Sequence, residues 1–136
     1  MRRGVARALL HARPRLSPRV ELPEEVRAGI RLFNAGRFFD AHEAWEDHWG
    51  KGGADERGAT LGLIKAAVAL HHLESRNAAG FAWQANEAAK HLRANAHIWP
   101  QLELGALAEA IESLVAQVRF HGRVPEPFEA PRLPEQ

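Results

Sequence analysis

Apolar residues recur every three to four positions along most of this chain, which is the spacing of amphipathic helices that pack by one face. The pattern predicts helices over residues 24–33, 36–49, 55–76, 78–92 and 104–121. Glycine or proline breaks separate them, so successive helices are expected to fold back on one another. The sequence shows no strand-like alternation, no repeat and no glycine-rich phosphate loop. It therefore predicts an all-α, single-domain bundle of about five helices with short connections.

The third predicted helix is apolar on nearly all sides over residues 61–70, and Lys65 is the exception. Such a helix is typically packed against several neighbours. Its small residues, such as Gly62, let neighbouring helices approach closely. We expect Trp45 and the segment Leu61–Val68 to be buried at the centre of the bundle.

Composition narrows the class of protein. A chain of 136 residues is expected to form one domain with a real core. It has no cysteine, which excludes disulfides and thiolate zinc sites. No apolar run approaches the roughly 20 residues of a membrane span, and no signal-peptide core follows the N-terminal arginines. We therefore expect a cytoplasmic protein that has no membrane-bound part.

Charge and proline content divide the chain into three parts. Residues 1–19 carry six arginines and no acid, which leaves 12 of the 18 basic residues against all 17 acidic ones in the remainder. We predict a basic N-terminal arm over residues 1–20, a helical domain over 21–122 and a proline-rich tail over 123–136. The arm is interpreted as a mobile or loosely docked tail, or as an electrostatic contact for nucleic acid or for an acidic partner. It contains no aromatic residue for stacking on bases, which favours the first interpretation.

The candidate chemistry lies in residues 36–49, which hold two of the four tryptophans. On a helix, His42 shares the apolar stripe of Trp45 and Trp49, and Glu46 lies at the edge of that stripe. Residues four apart on a helix have Cβ atoms about 5–6 Å apart, so His42 and Glu46 converge. An imidazole and a carboxylate are ligands that zinc, manganese and iron accept.

This stretch and the third helix together resemble the domain-of-unknown-function family number 309, small helical proteins of bacteria and archaea. The resemblance covers residues 30–92. It rests on Gly36, Phe38, Phe39, His42-Glu43, Glu46, Trp49, Gly62-Leu63-Ile64 and the histidine before Asn77. The family pattern is a histidine, three variable residues, a glutamate, two variable residues and an aromatic. The resemblance implies that His42, Glu46 and Trp49 form a functional, metal-binding motif, although the family has no assigned activity.

Two positions depart from the family pattern. Lys65 stands where glutamine is frequent, and Arg76 where glycine is usual. The family histidine of the third helix is matched by His71 or by His72.

Three interpretations of the site follow. In the first, His42, Glu46 and His72 bind a divalent metal such as zinc, with Trp45, Trp49, Lys65, His71 and Asn77 in support. In the second, His42 and Glu46 act as an acid/base pair without a metal. In the third, the cluster is a buried structural network that Lys65 completes by pairing with Glu46, and the protein is a non-catalytic binding or scaffold module.

Other polar residues give weaker signals. His48 lies at the border of its helix, which predicts a surface residue. Trp83 points away from the apolar face of its helix and is available to a partner subunit, so a homo-oligomer is an open alternative. No serine has the context of a nucleophile, so covalent hydrolase chemistry is unsupported.

Overall fold

A computed structural model describes residues 19–136 of the chain. These residues form five α-helices and contain no β-strand. The helices are α1 (Glu24–Asn34), α2 (Phe38–Lys51), α3 (Ala54–Glu74), α4 (Ala78–Ala94) and α5 (Leu104–His121), with a 3₁₀ turn at Pro100–Leu102 before α5. The predicted all-α bundle is confirmed. Residues 1–18, which hold most of the predicted basic arm, lie outside the described residues.

Local signals set the ends of these helices. Pro23 precedes α1, and two glutamates in the first turn complement the positive end of the helix dipole. The side chain of Asn77 accepts a hydrogen bond from the Gly80 amide at the start of α4, as an N-cap does. Gly122 ends α5 with a φ of 69°, a left-handed conformation that glycine adopts without strain. Within residues 19–136, no helix is long and apolar enough to cross a membrane.

The helices pack around α3. It lies against α2 on one side and α4 on the other, while α1 packs on α2 and α5 packs on α4. The backbones of α3 and α4 come close at Gly62, where an added Cβ would lie 3.0 Å from the main-chain nitrogen of Leu92. The small residues of α3 therefore permit the close approach that the sequence predicts.

Trp45 fills the centre of the bundle from α2. Its side chain is completely buried, and its indole Nε1–H donates a hydrogen bond of 3.1 Å to the carbonyl oxygen of Val26 in α1. Gly29 makes room for the ring, because a Cβ there would lie 2.1 Å from Nε1. The predicted burial of Trp45 is confirmed, and its hydrogen bond joins α1 to α2.

The burial predicted for α3 is confirmed for residues 62–64 and 66–67 but is wrong for Leu61, Lys65 and Val68, which are half-exposed. His72, one turn further on, is half-exposed as well. These four residues share one helix face. The reason is that α2 and α4 cover the two flanks of α3 and leave the strip between them open to solvent.

The C-terminal tail, residues 123–136, lies against the bundle. Leu133 is buried and Phe128 is half-buried against the core. Asn34 at the end of α1 holds the tail by two hydrogen bonds of 2.8 Å, one from its Nδ2 to the Leu133 carbonyl and one from the Leu133 amide to its Oδ1. The tail is thus pinned to α1 at a defined point.

The 3₁₀ turn closes the end of the bundle where α1 begins. Trp99, just before this turn, is completely buried. The side chain of Gln101 bonds both main-chain groups of Val20, and this pairing anchors the first described residues.

Candidate functional site

His42 lies on α2, next to Phe39, whose ring also packs on His71 of α3. The His42 Nδ1 is 2.5 Å from the main-chain oxygen of Phe39, one turn earlier in the helix. A carbonyl oxygen only accepts hydrogen bonds, so Nδ1 carries the proton. In the neutral ring, Nε2 therefore holds the lone pair. The backbone of α2 thus orients the ring and selects its tautomer.

Glu46 lies one turn after His42. Its Oε1 is 3.6 Å from His42 Nε2, which is too long for a direct hydrogen bond. The His42 side chain is 15% exposed and the Glu46 side chain is 57% exposed. The structure therefore brings these two predicted residues together at the surface, with a lone pair facing a carboxylate.

The histidines of α3 lie in two different environments. The ring of Phe39 packs on both His42 and His71, with centroid distances of 4.8 Å and 5.5 Å. His72 Nδ1 accepts a hydrogen bond of 3.2 Å from the amide of Asn77. Among residues 19–136, no three or more His, Asp or Glu side chains are grouped as a metal site requires.

The network interpretation requires Lys65 to pair with Glu46, and the structure shows no such pair. The Lys65 ammonium lies 5.3 Å from the centroid of the Trp83 ring on α4. Trp83 is exposed, as predicted from its helix face. The cation–π contact directs Lys65 toward α4 and leaves the carboxylate of Glu46 accessible to solvent.

Trp49, the aromatic of the motif, is 37% exposed, so the apolar stripe that it shares with the completely buried Trp45 is not covered along its whole length. The Arg57 guanidinium lies 4.6 Å from the ring centroid. Trp49 stands next to Arg57 rather than in the core because it lies at the α3 edge of α2. It therefore contributes to the surface that borders His42 and Glu46.

His48 was predicted to be a surface residue, and that prediction is wrong. It is 7% exposed, because the first turns of α1 and α3 cover it. Its Nε2 is 2.9 Å from Glu56 Oε1, and its Nδ1 is 3.8 Å from Glu25 Oε1. Glu25 also accepts a hydrogen bond of 2.7 Å from Lys51 Nζ. The sequence holds a hint of this cluster, since Glu25 and Glu56 both lie in the first turn of a predicted helix.

The cluster of His48, Glu25 and Glu56 links helices and does not form a metal site. The two carboxylates face opposite ring nitrogens, so they do not converge with the imidazole on one point. They lie on α1 and α3, so His48 links both helices to α2. The hydrogen bond from Lys51 is the largest cause that lowers the pKa of Glu25. Gly52 lies against the ring, where an added Cβ would be 3.3 Å from His48 Nε2.

Comparison of the chain with known proteins gives one match, to a family model. No curated protein and no solved structure matches the chain. Residues 26–84 match the model of a family described as "Domain of unknown function (DUF309)". This range includes most of α1, all of α2 and α3 and the first turns of α4, and with them His42 and Glu46. The resemblance stated from the sequence is confirmed: residues 26–84 of this chain are similar to the DUF309 family.

Proposed function

We propose that the chain binds a divalent metal ion such as zinc through His42 Nε2 and Glu46 Oε1. The observation that carries this proposal is the contact of His42 Nδ1 with the Phe39 carbonyl oxygen. A metal-binding histidine commonly donates its other ring N–H to a carbonyl or carboxylate, which fixes the ring and raises its basicity. His42 has this arrangement, and its remaining lone pair faces a carboxylate.

The separation of the two ligand atoms fits such an ion. Two ligands of a tetrahedral zinc, each about 2.0–2.2 Å from the metal, lie about 3.4 Å apart. His42 Nε2 and Glu46 Oε1 are 3.6 Å apart, so a small rotation of the exposed Glu46 side chain is enough. The exposure of Glu46 also leaves the other positions open to water or to a substrate.

His72 is the proposed third ligand and His71 is its competitor, and either would have to move to bind, because no third His, Asp or Glu side chain of residues 19–136 is grouped with His42 and Glu46. His72 has to give up the hydrogen bond from Asn77 before its Nδ1 can bind a metal. His71 instead packs on the Phe39 ring, with a centroid distance of 5.5 Å. Variants of each histidine will distinguish them, because the true third ligand will weaken metal binding when it is replaced.

His42 and Glu46 would hold a zinc ion, which would supply Lewis acidity and activate water at this position. Without a metal, the lone pair of His42 Nε2 accepts a proton, and Glu46 stabilises the imidazolium that forms. Both versions use the tautomer that the Phe39 carbonyl selects. A chelator would abolish the activity of a metal-dependent site and would leave the activity of a metal-free acid/base pair unchanged.

The direct test is zinc binding by calorimetry on protein without a histidine tag. His42→Ala and Glu46→Gln should each abolish binding. His91→Ala is the matched control, because Glu87 and His91 are also four apart on a helix, but Glu87 pairs with Lys90 at 3.0 Å. Zinc binding that survives both site variants, or that is absent from the unaltered protein, would refute the proposal.

A second candidate is a non-catalytic binding module. Three exposed aromatic residues support it: Phe39, Trp49 and Trp83 are 50%, 37% and 60% exposed and flank the open strip of α3. Exposed aromatic clusters are typical of protein interfaces. A partner protein, including a second copy of this chain, would bury them. Light scattering of the unaltered protein and of Trp83→Glu tests the second copy: a dimer that the substitution dissociates supports it, and a monomer in both cases excludes it.

A further inference from the structure

A second candidate site lies between α1 and the C-terminal tail, and it shares no residue with the proposed metal site. It is a cleft of about 400 Å³. Three arginines line it, Arg27 and Arg31 from α1 and Arg132 from the tail. Ile30 and Ala35 supply apolar wall. A cleft of this size suits a small ligand.

The tail holds the cleft in a defined shape. The paired hydrogen bonds between Asn34 and Leu133 fix the tail beside the end of α1. Arg132 is then held by a hydrogen bond of 2.9 Å from its Nη1 to the Asn34 carbonyl oxygen. This guanidinium is therefore positioned before any ligand arrives, which lowers the entropic cost of binding.

Glu24 partly satisfies the two arginines of α1. Its carboxylate accepts hydrogen bonds of 2.9 Å from Arg27 and 3.0 Å from Arg31, and these lower its pKa. Each guanidinium has five N–H groups in a fork that matches phosphate or carboxylate oxygens. Arg31 uses its Nη2 for Glu24 and retains donors for another anion. Glu24 thus shows that an anion fits beside these two side chains.

The local charge is positive. Arg132 Nη2 is 3.4 Å from Glu135 Oε2, and Arg19 donates a hydrogen bond of 3.5 Å to Gln136 at the edge of the cleft. Among the charged side chains at the cleft, the three guanidinium groups of Arg27, Arg31 and Arg132 outnumber the carboxylates of Glu24 and Glu135 by one. The cleft therefore favours an anion over a cation.

We propose that this cleft binds a small molecule that carries a phosphate group. The phosphate lies between the α1 arginines and Arg132, and the apolar part of the molecule lies against Ile30 and Ala35. Several guanidinium groups on two sides suit the three oxygens of a phosphate better than the two of one carboxylate. Glu24 competes with the ligand for Arg27 and Arg31.

Calorimetric titration of the full chain with inorganic phosphate and with phenyl phosphate at low ionic strength tests the proposal. Both should bind, and phenyl phosphate should bind more tightly because its ring reaches the apolar wall. Arg31→Gln should weaken binding about tenfold, because a charge-assisted hydrogen bond is lost. Glu24→Gln should strengthen binding several-fold, because two guanidinium groups lose their internal partner.

Matched controls come from the exposed pair Arg93 and Glu112, which joins α4 to α5 at 2.6 Å. Arg93→Gln and Glu112→Gln change the net charge in the same way as the site variants and should leave phosphate affinity unchanged. Equal effects of the two pairs would show that net charge alone is responsible and would overturn the proposal. It would also be overturned by the absence of phosphate binding, or by benzoate binding as tightly as phenyl phosphate. Zinc binding is measured separately, so failure here does not bear on His42 and Glu46.

Discussion

Gly29→Ala tests the packing at the centre of the bundle. Gly29 is a buried residue of α1, and an added Cβ would lie 2.1 Å from Trp45 Nε1 and 2.5 Å from Cδ1 and Cε2. The indole ring is rigid and completely buried, so it has to move as a whole. That movement breaks the hydrogen bond from Nε1 to the Val26 carbonyl. One added methyl group therefore disturbs both the packing and a buried donor.

Three terms set the size of the effect. Overpacking of a filled core costs about 1–3 kcal/mol. A stranded buried N–H costs about 1–3 kcal/mol more. Alanine is favoured over glycine inside a helix by about 1 kcal/mol, which opposes both. The net loss of unfolding free energy is about 3 kcal/mol, and the thermal midpoint should fall by about 10 °C in a domain of this size.

Urea denaturation followed by circular dichroism and tryptophan fluorescence measures this loss. Gly105→Ala is the control, because Gly105 is also helical and an added Cβ there meets nothing within 4 Å. That variant should be as stable as the unaltered protein, or slightly more so. Gly29→Ala should cost much less in a Trp45→Leu background, where the clashing atoms are gone. A Gly29→Ala variant with unchanged stability would refute the packing of Trp45 over Gly29.

Further predictions concern the polar contacts that link the helices to one another and the tail to α1. The pKa of Glu25 is lowered chiefly by Lys51, so the stability it contributes is present above its ordinary value of 4.5 and is lost as pH falls through the lower folded value. Glu25→Gln should therefore flatten the fall in thermal midpoint below about pH 5, and an unchanged pH profile would contradict this. Replacing Asn34 by alanine should speed hydrogen exchange of the Leu133 amide about tenfold, since its acceptor is removed; an unaltered exchange rate would show that the tail is held elsewhere. His48→Leu should lower the unfolding free energy by about 1–2 kcal/mol in urea, because the link from α2 to its two neighbours is lost, and equal stability would rule out that role.

Local sequence signals determined the helices of the described chain. Pro23, Asn77 and Gly122 each act within one turn of the helix end where they lie, so the predicted and observed bounds agree to within a few residues. The convergence of His42 and Glu46 was also predictable, because it depends only on their spacing in one helix. In the same way, the helical period was enough to predict that Trp45 faces the core and that Trp83 does not.

The tertiary structure decided which faces are covered, and by what. The helical period shows that residues share a face, but it does not show which neighbour lies over that face. His48 is buried because the first turns of α1 and α3, which come before and after it in the sequence, pack together over its side chain. The half-exposed face of α3 remains accessible to solvent because α2 and α4 pack on either side of it. The contact between Asn34 and Leu133 joins residues 99 positions apart, and the arginine cleft depends on it. Such contacts arise from the packing of whole elements, which no local pattern encodes.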